Sequence, residues 1–372
     1  MDTPTHDDAR WMQLAIAQGL RGDRRVRPNP RVGCVLVQGD RLVGAGYHAQ
    51  VGGPHAEVGA LQQAGAAARG ATAYVTLEPC NHHGRTPPCS HALLEAGVAR
   101  VVVGVADPHP KAQGGAAWLR ERGVAVEVGV LAAECRELAE VFLCNTERGR
   151  AFVQLKVAAT LDGRMAAQDG SSQWITGPAA RQAVHRERAQ SDAILIGSGT
   201  ALADDPRLDV RLDVRLPDAP AGPLPLRVVL DRRARLANSA QPLQIFDTRA
   251  QPTLIYTLHA AQLRERCGPG VEVADWPGEG TQLSDILVDL LRRGRCHALC
   301  EAGPTLATAL LRQGAVDRLD WWLAPKLLGS GRSAVEDLGI PTITECSRWQ
   351  FAPPQQHGAD ILLVARPTGA AR

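Results

Sequence analysis

Ala71-Thr72-Ala73-Tyr74-Val75-Thr76-Leu77-Glu78-Pro79-Cys80 decides the fold of the first half of this chain. Ala71 to Leu77 is a short apolar run that reads as a strand, and it passes straight into Glu78-Pro79-Cys80. Strand ends are where α/β folds build sites, because loops and helix N-termini converge there. Working back towards the N-terminus, Leu42–Gly46 and Gly33–Val37 read as strands separated by the turn at Gly39-Asp40, and His55–Ala64 reads as a helix. Asp7 to Gln18 spaces Trp11, Leu14 and Ala15 as one face of a first helix. In the other direction, helix Ser90–Ala96, strand Val101–Val105, helix Gly114–Arg122 and strand Ala125–Val128 continue the alternation. The pattern predicts a three-layer α/β/α domain.

Three residues with metal-binding chemistry fall at these element ends: His55 at a helix start, Cys80 at a strand end and Cys89 at the next helix. A neutral imidazole and two thiolates supply three ligands to Zn²⁺ and leave the fourth tetrahedral position free for a water. An open position implies catalysis. Glu57 lies two residues from His55, too close to be an ordinary fourth ligand but placed to move protons on and off that water. His55-Ala56-Glu57 followed by Pro79-Cys80 resembles the H-x-E…P-C pattern of zinc deaminases, in which an activated water attacks an amidine carbon and a non-ligand Glu is acid and base. Two other readings use the same residues. A closed structural zinc site could be completed by His82, His83 or His91, although such sites rarely frame a thiolate with Glu and Pro or set a Glu beside the His. Cys80 and Cys89 could also form a disulfide, which a reducing compartment disfavours.

The composition fits that compartment. Nine cysteines, an odd number scattered over 372 residues, do not resemble a secreted disulfide framework. Met1 to Arg10 is polar and acidic, without the apolar core of a signal peptide, and no apolar run is long enough to span a bilayer. A soluble, cytoplasmic protein is expected. A formal charge of +2 argues against a nucleic-acid or membrane surface and for small-molecule substrates.

At 45% hydrophobic residues the chain can bury sizeable cores, and its length favours two domains. The polar stretch Asn145 to Arg150 ends a helix and marks the break, giving domains 1–147 and 148–372. Beyond it, strands are expected at Phe152–Ala158, Ala193–Gly197, Arg227–Asp231, Thr253–Tyr256, His297–Cys300, Arg318–Ala324 and Ile361–Ala365. Helices at Pro178–Gln190, Ser284–Arg293 and Thr305–Gln313 make this half α/β too, and Arg207 to Pro225 reads as a surface loop. No internal repeat relates the halves. Gly197-Ser198-Gly199-Thr200-Ala201-Leu202 begins like a dinucleotide-binding G-x-G-x-x-G but ends in Leu, so a Rossmann domain is rejected. Glu301-Ala302-Gly303-Pro304-Thr305-Leu306 runs from a strand into a helix that starts with proline, which makes it a candidate anion site.

Taken together, Pro28-Asn29-Pro30-Arg31-Val32-Gly33-Cys34-Val35, His55-Ala56-Glu57 and Thr76 through Cys89 resemble the deaminase half of the bifunctional deaminase/reductase family of riboflavin biosynthesis. Eight residues separate Cys80 from Cys89, where cytidine and tRNA adenosine deaminases usually place two, and the His-Gly-Arg-Thr-Pro-Pro sequence of this loop is that family's. The second half carries four segments that resemble the reductase: Lys156 to Arg164, Ser172 to Thr176, Thr200 to Pro206 and Glu301 to Leu306. The resemblance implies a cytidine-deaminase-like domain followed by a dihydrofolate-reductase-like α/β domain, with one Zn²⁺ in the first and NADPH in the second. It implies deamination of a phosphorylated diaminopyrimidinone ribosylamine, then reduction of the ribosyl group to ribityl by hydride transfer to C1′. His55, Cys80 and Cys89 would hold the metal, with Glu57 catalytic. His82 and Arg85 would hold the substrate, a guanidinium suiting phosphate through its planar fork, and Asn29, His48 and Asp107 would contact pyrimidine or ribose. In the reductase, Ala158, Trp174, Thr200, Asp204 and Gly303, Pro304, Thr305 and Leu306 would line the NADPH site. Ser172, Arg188, Leu208, Arg211 and Glu301 would hold substrate, and Lys156 would donate the proton. Arg232 and Arg233 depart from the family's usual small polar residue and could bind the 2′-phosphate or face solvent. A homo-oligomer, dimer or tetramer, is expected from the same resemblance.

Overall fold

The computed structural model describes residues 6–82, 87–211, 224–278 and 282–368. It divides into two compact units, Met1–Gly149 and Arg150–Arg372.

The first unit comprises α1 (His6–Gly19), β1 (Gly33–Gln38), β2 (Arg41–Tyr47), α2 (Ala56–Ala64), β3 (Thr72–Leu77), α3 (Cys89–Glu95), β4 (Arg100–Val105), α4 (Gly115–Arg120), β5 (Ala125–Val128), α5 (Ala132–Leu138) and α6 (Glu140–Arg148). Its sheet runs β2-β1-β3-β4-β5, with β1 antiparallel to both neighbours and β3, β4 and β5 mutually parallel. Helices α1 and α5 pack together on one side, while α2, α3 and α4 contact one another in sequence on the other, giving the expected three layers. Interior strands β1, β3 and β4 are buried on both faces, which is why they read as continuous apolar runs. One detail of α1 is corrected. Trp11, Met12 and Ala15 are buried with Asp8, whereas Leu14 is 38% exposed. At about 100° per residue, positions 8, 11, 12 and 15 share a sector that Leu14 lies outside. Asp8 fixes this helix to the sheet, accepting from Tyr74 Oη at 2.8 Å and from Arg100 Nη1 and Nη2 at 2.7 and 3.0 Å.

The second unit comprises β6 (Phe152–Thr160), β7 (Arg164–Ala166), α7 (Pro178–Gln190), β8 (Ala193–Gly197), α8 (Ser198–Asp204), β9 (Leu226–Leu230), β10 (Thr253–Thr257), α9 (Ala260–Arg264), β11 (Val271–Asp275), α10 (Leu283–Arg292), β12 (His297–Cys300), α11 (Pro304–Arg312), β13 (Arg318–Ala324), β14 (Arg332–Ser333), β15 (Trp349–Phe351), β16 (Gln355–His357) and β17 (Asp360–Pro367). The main sheet runs β11-β10-β9-β8-β12-β6-β13-β17-β15, with β16 also on β17. From β11 to β13 every neighbour is parallel; β17 and its partners are antiparallel. The carboxyl ends of the parallel strands therefore share one edge, where such sheets bind ligands. The segment Gly197 to Leu202, read as a failed dinucleotide loop, enters α8 directly at Ser198. Gly199 inside the helix obscures its period. Of the loop expected over 207–225, residues 207–211 and 224–225 carry neither helix nor strand, and 212–223 lie outside the described residues. No helix among the described residues is long and apolar enough to cross a membrane.

Candidate active sites

In the first unit, β3 delivers Cys80 through Glu78-Pro79, α3 begins at Cys89, and His55 occupies the N-cap position of α2. Their ligand atoms lie within 4.8 Å of one another, and among the described residues this is the one His/Cys/Asp/Glu cluster able to hold a metal. His55 Nδ1 is 3.3 Å from Cys89 Sγ and 3.7 Å from Cys80 Sγ. Tetrahedral zinc with ordinary Zn–N and Zn–S lengths sets such pairs about 3.6 Å apart, so the donors fit the ion. The Cys89 thiol beside Cys80 lowers the Cys80 thiol and is itself raised. A divalent cation bound there would hold both as thiolates.

Glu57, in the first turn of α2, is 4% exposed. Burial and then the charge of Cys80 raise its carboxyl to about 7, against the opposing effect of His55. His48 is buried and accepts or donates at both ring nitrogens, to Asn29 Nδ2 at 3.1 Å and the Pro54 carbonyl at 2.9 Å. Because a carbonyl only accepts, Nδ1 carries the proton and Nε2 accepts from Asn29. The His48 ring lies edge-on to His55 at 5.4 Å, so Asn29 and His48 stand beside the ligand cluster. Asp107 is buried and accepts from His109 N at 2.8 Å. His82 is exposed, whereas Arg85 and His83 lie outside the described residues. His91 stacks on Trp118 at 4.0 Å and is not one of the clustered ligands.

Sequence reasoning gave Glu78 no role. Its buried carboxylate accepts from the backbone N–H of Asp107, Gly114 and Ala116 at 3.1, 3.2 and 2.9 Å, tying the Cys80 loop to the start of α4. Gly115 completes that junction, since a Cβ there would sit 1.9 Å from the Pro79 carbonyl oxygen. Gly115→Ala is therefore expected to cost about 1–3 kcal/mol and to loosen Cys80. A lowered Tm together with a lower zinc content would show both effects.

The second unit opens a cleft of about 1820 Å³ at the carboxyl edge of its sheet. Ordinary ligand pockets hold roughly 300–1,000 Å³, so this one has room for a dinucleotide and a second molecule. It brings together Lys156, Ala158, Ser172, Trp174, Arg188, Thr200, Asp204, Leu208, Arg211, Arg232, Glu301 and the turn Gly303 to Leu306. Helix α11 starts in the cleft with Gly303 at its N-cap and no side chain capping it, leaving its first N–H groups for a ligand anion. Arg188 Nε and Nη2 donate to Glu301 at 2.5 and 3.0 Å, and Lys156 Nζ is 3.8 Å from the same carboxylate. Burial opposes the charge on Glu301, but Arg188 and then Lys156 overcome it and hold the carboxyl at about 2. The loop 205–211 is pinned by Gln244, which donates to Asp205, and by Gln251, which donates to the Leu208 carbonyl. Trp174 is 62% exposed, with the Arg181 guanidinium 4.4 Å over its ring.

Arg235 and Trp276 also line the cleft and had no sequence signal. Asp231, fully buried, accepts from Arg235 N and Leu236 N at 2.9 and 2.8 Å. Its two oxygens thereby fix the turn that presents Arg232 and Arg235.

A His/Cys/Cys cluster fit for zinc with a buried carboxylate beside it, and a second domain with a cleft roomy enough for a dinucleotide, suit a two-domain enzyme that joins a deaminase to a reductase. Residues 5–105 match the cytidine and deoxycytidylate deaminase zinc-binding region, and residues 151–363 match the RibD C-terminal domain. The riboflavin biosynthesis protein RibD of Escherichia coli strain K12 is 41% identical over 96% of this chain and 98% of its own; that of Aquifex aeolicus is 39% identical over 96% and 97%. Among solved structures, Acinetobacter baumannii RibD superposes with a TM-score of 0.81 at 39% identity, covering 97% of this chain and 99% of that one. The diaminohydroxyphosphoribosylaminopyrimidine deaminase/5-amino-6-(5-phosphoribosylamino)uracil reductase of Thermotoga maritima gives 0.82 at 33%, covering 98% and 99%. This chain belongs to the RibD family and is a bifunctional deaminase/reductase of riboflavin biosynthesis.

Proposed function

We propose that the first unit deaminates 2,5-diamino-6-ribosylamino-4(3H)-pyrimidinone 5′-phosphate to 5-amino-6-(5-phosphoribosylamino)uracil. The second unit then reduces the ribosyl group with NADPH, giving 5-amino-6-(5-phosphoribitylamino)uracil. The observation that carries this reading is the end-to-end likeness to the Thermotoga maritima enzyme bearing both activities, with a metal cluster in one unit and a dinucleotide-sized cleft in the other.

In the deaminase, one zinc ion held by His55, Cys80 and Cys89 would supply the Lewis acidity that makes a water nucleophilic near neutral pH. Glu57 takes one proton from that water and hands it to the pyrimidine nitrogen, then takes the second from the hydroxyl now on the carbon and delivers it to the departing ammonia. Burial suits it to both halves of the task, because it raises the carboxyl towards the range in which it both gains and loses protons. Asn29 and Asp107 meet the pyrimidine or ribose, His48 holding the Asn29 amide in place, and His82 and Arg85 take the phosphate end.

In the reductase, Ala158, Trp174, Thr200, Asp204 and Gly303 to Leu306 line the place of NADPH, which when bound supplies hydride for C1′. Ser172, Arg188, Leu208, Arg211 and Glu301 hold the substrate, and Lys156 donates the proton that the opening ribose ring needs. Arg232 is assigned to the 2′-phosphate. Arg232→Ala should cut the NADPH-over-NADH preference in kcat/KM about 10- to 100-fold, the worth of one charge-assisted hydrogen bond. An unchanged ratio would remove the role. The protein acts on small molecules and not on nucleic acid or membrane, in the cytoplasm, as a homodimer or homotetramer.

Purified protein given the diaminopyrimidine substrate and NADPH should release ammonia and consume NADPH in equal amounts. Ammonia without NADPH oxidation would sink the reductase half of the reading.

A further inference from the structure

Beneath α7, beside the cleft, the second unit buries a polar cluster that no role above uses. Asp320 of β13 is completely buried and stands opposite Lys156 of β6 in the parallel register. Gln154 Nε2 donates to it at 2.7 Å, and Arg318 Nε and Nη2 donate at 2.7 and 2.9 Å. Gln154 is held in turn by His297, 2.9 Å from its Oε1. A second carboxyl, that of Glu187 on α7, lies against Asp320, and its Oε2 is shut off from solvent without a hydrogen-bond partner.

Two carboxylates in contact away from water do not both ionise. Burial and then Asp320 push Glu187 well above the ordinary carboxyl range, against the opposing charges of Arg318 and Lys156. The pair therefore holds one proton between its two carboxyls. Nearby on the cleft side, Glu301, just after β12, pairs with both Arg188 of α7 and Lys156. Burying a second carboxyl against Asp320, with its Oε2 unsatisfied, costs stability, so packing alone does not account for it.

We propose that the Glu187–Asp320 pair is a proton store that recharges Lys156 during the reduction. The inference rests on the reading of Lys156 as proton donor. Hydride arriving at C1′ brings two electrons and forms a C–H bond as the C1′–O4′ bond breaks. The electron pair left on O4′ takes a proton from the Lys156 ammonium, and the resulting amine takes one from Glu187. Water returns a proton to the carboxylates once the product has left the cleft. Each turnover consumes one NADPH and one proton. The store would serve whenever bound dinucleotide and substrate shield Lys156 from bulk water. Glu187 touches neither substrate nor cofactor, so it is a positioning residue acting through Lys156.

The test compares Glu187→Gln, Glu187→Asp and Lys156→Met in the full chain, following NADPH oxidation across pH. Ammonia release and NADPH affinity serve as controls for folding. Glutamine keeps the shape and can donate to Asp320 but has no proton to give. Glu187→Gln should lower reductase kcat roughly 10- to 100-fold with little change in KM, and should move the alkaline limb of the kcat profile down by about one pH unit. Glu187→Asp, with a carboxyl restored, should recover most of the rate. If Glu187→Gln keeps the wild-type kcat and profile while Lys156→Met is inactive, the store is refuted and the donor stands. If Glu187→Gln is lost to misfolding, a folded Glu187→Asp enzyme whose reductase kcat lies about 10-fold or more below wild type, with its alkaline limb lowered by about one pH unit, refutes it. A fully active Lys156→Met overturns both.

Discussion

Glu57→Gln is expected to lose ammonia release by a factor of about 10²–10⁴, the usual worth of a general acid–base group, while keeping its zinc. Glutamine preserves the size of the side chain but neither takes a proton from water nor returns one to the leaving nitrogen. The metal should remain because Glu57 is not among the clustered donors His55, Cys80 and Cys89. NADPH-dependent reduction of the deaminated intermediate should continue at the wild-type rate, since every residue lining the reductase cleft lies in the second unit. The measurements are ammonia release, zinc per chain and NADPH oxidation with each substrate. Deamination at the wild-type rate would show that the proton carrier is another group.

Lys156→Met should produce the mirror image, a reductase slowed about 10²–10⁴-fold in a protein that still releases ammonia. Methionine keeps the length of the aliphatic stem and removes the charge. Lys156 stands 3.8 Å from Glu301, which is already held by both Arg188 nitrogens, so the carboxylate does not lose its main partner. NADPH binding, read by fluorescence, should change little. A loss of affinity with kcat intact would instead make Lys156 a binding residue.

The legible parts of this protein are those whose chemistry is local. His55, Glu57 and Cys80 stand at element boundaries that periodicity locates, and their spacing is set by short loops. The strands buried on both faces, β8, β9 and β12, announce themselves as unbroken apolar runs. β15 and β16 do not, being short, largely exposed strands on the antiparallel edge with no alternation to read. Glu78 looked like part of a motif, yet its work is done on backbone groups of residues Asp107, Gly114 and Ala116, far along the chain. Glu187 sits in the charged run His185-Arg186-Glu187-Arg188, which resembles a solvated helix face. Only the packing of α7 on β13 brings it against Asp320. Burial of a charge is a tertiary fact, and one-dimensional patterning does not carry it.

The turn after β9 has a consequence for how this enzyme's cofactor choice can drift. Its backbone is held from below by both oxygens of Asp231, not by the side chains it displays. Arg232 is consequently free to vary without disturbing its support. Given the 2′-phosphate role proposed for Arg232, selection on which dinucleotide donates hydride can work there one codon at a time, with the architecture of the cleft left as it was.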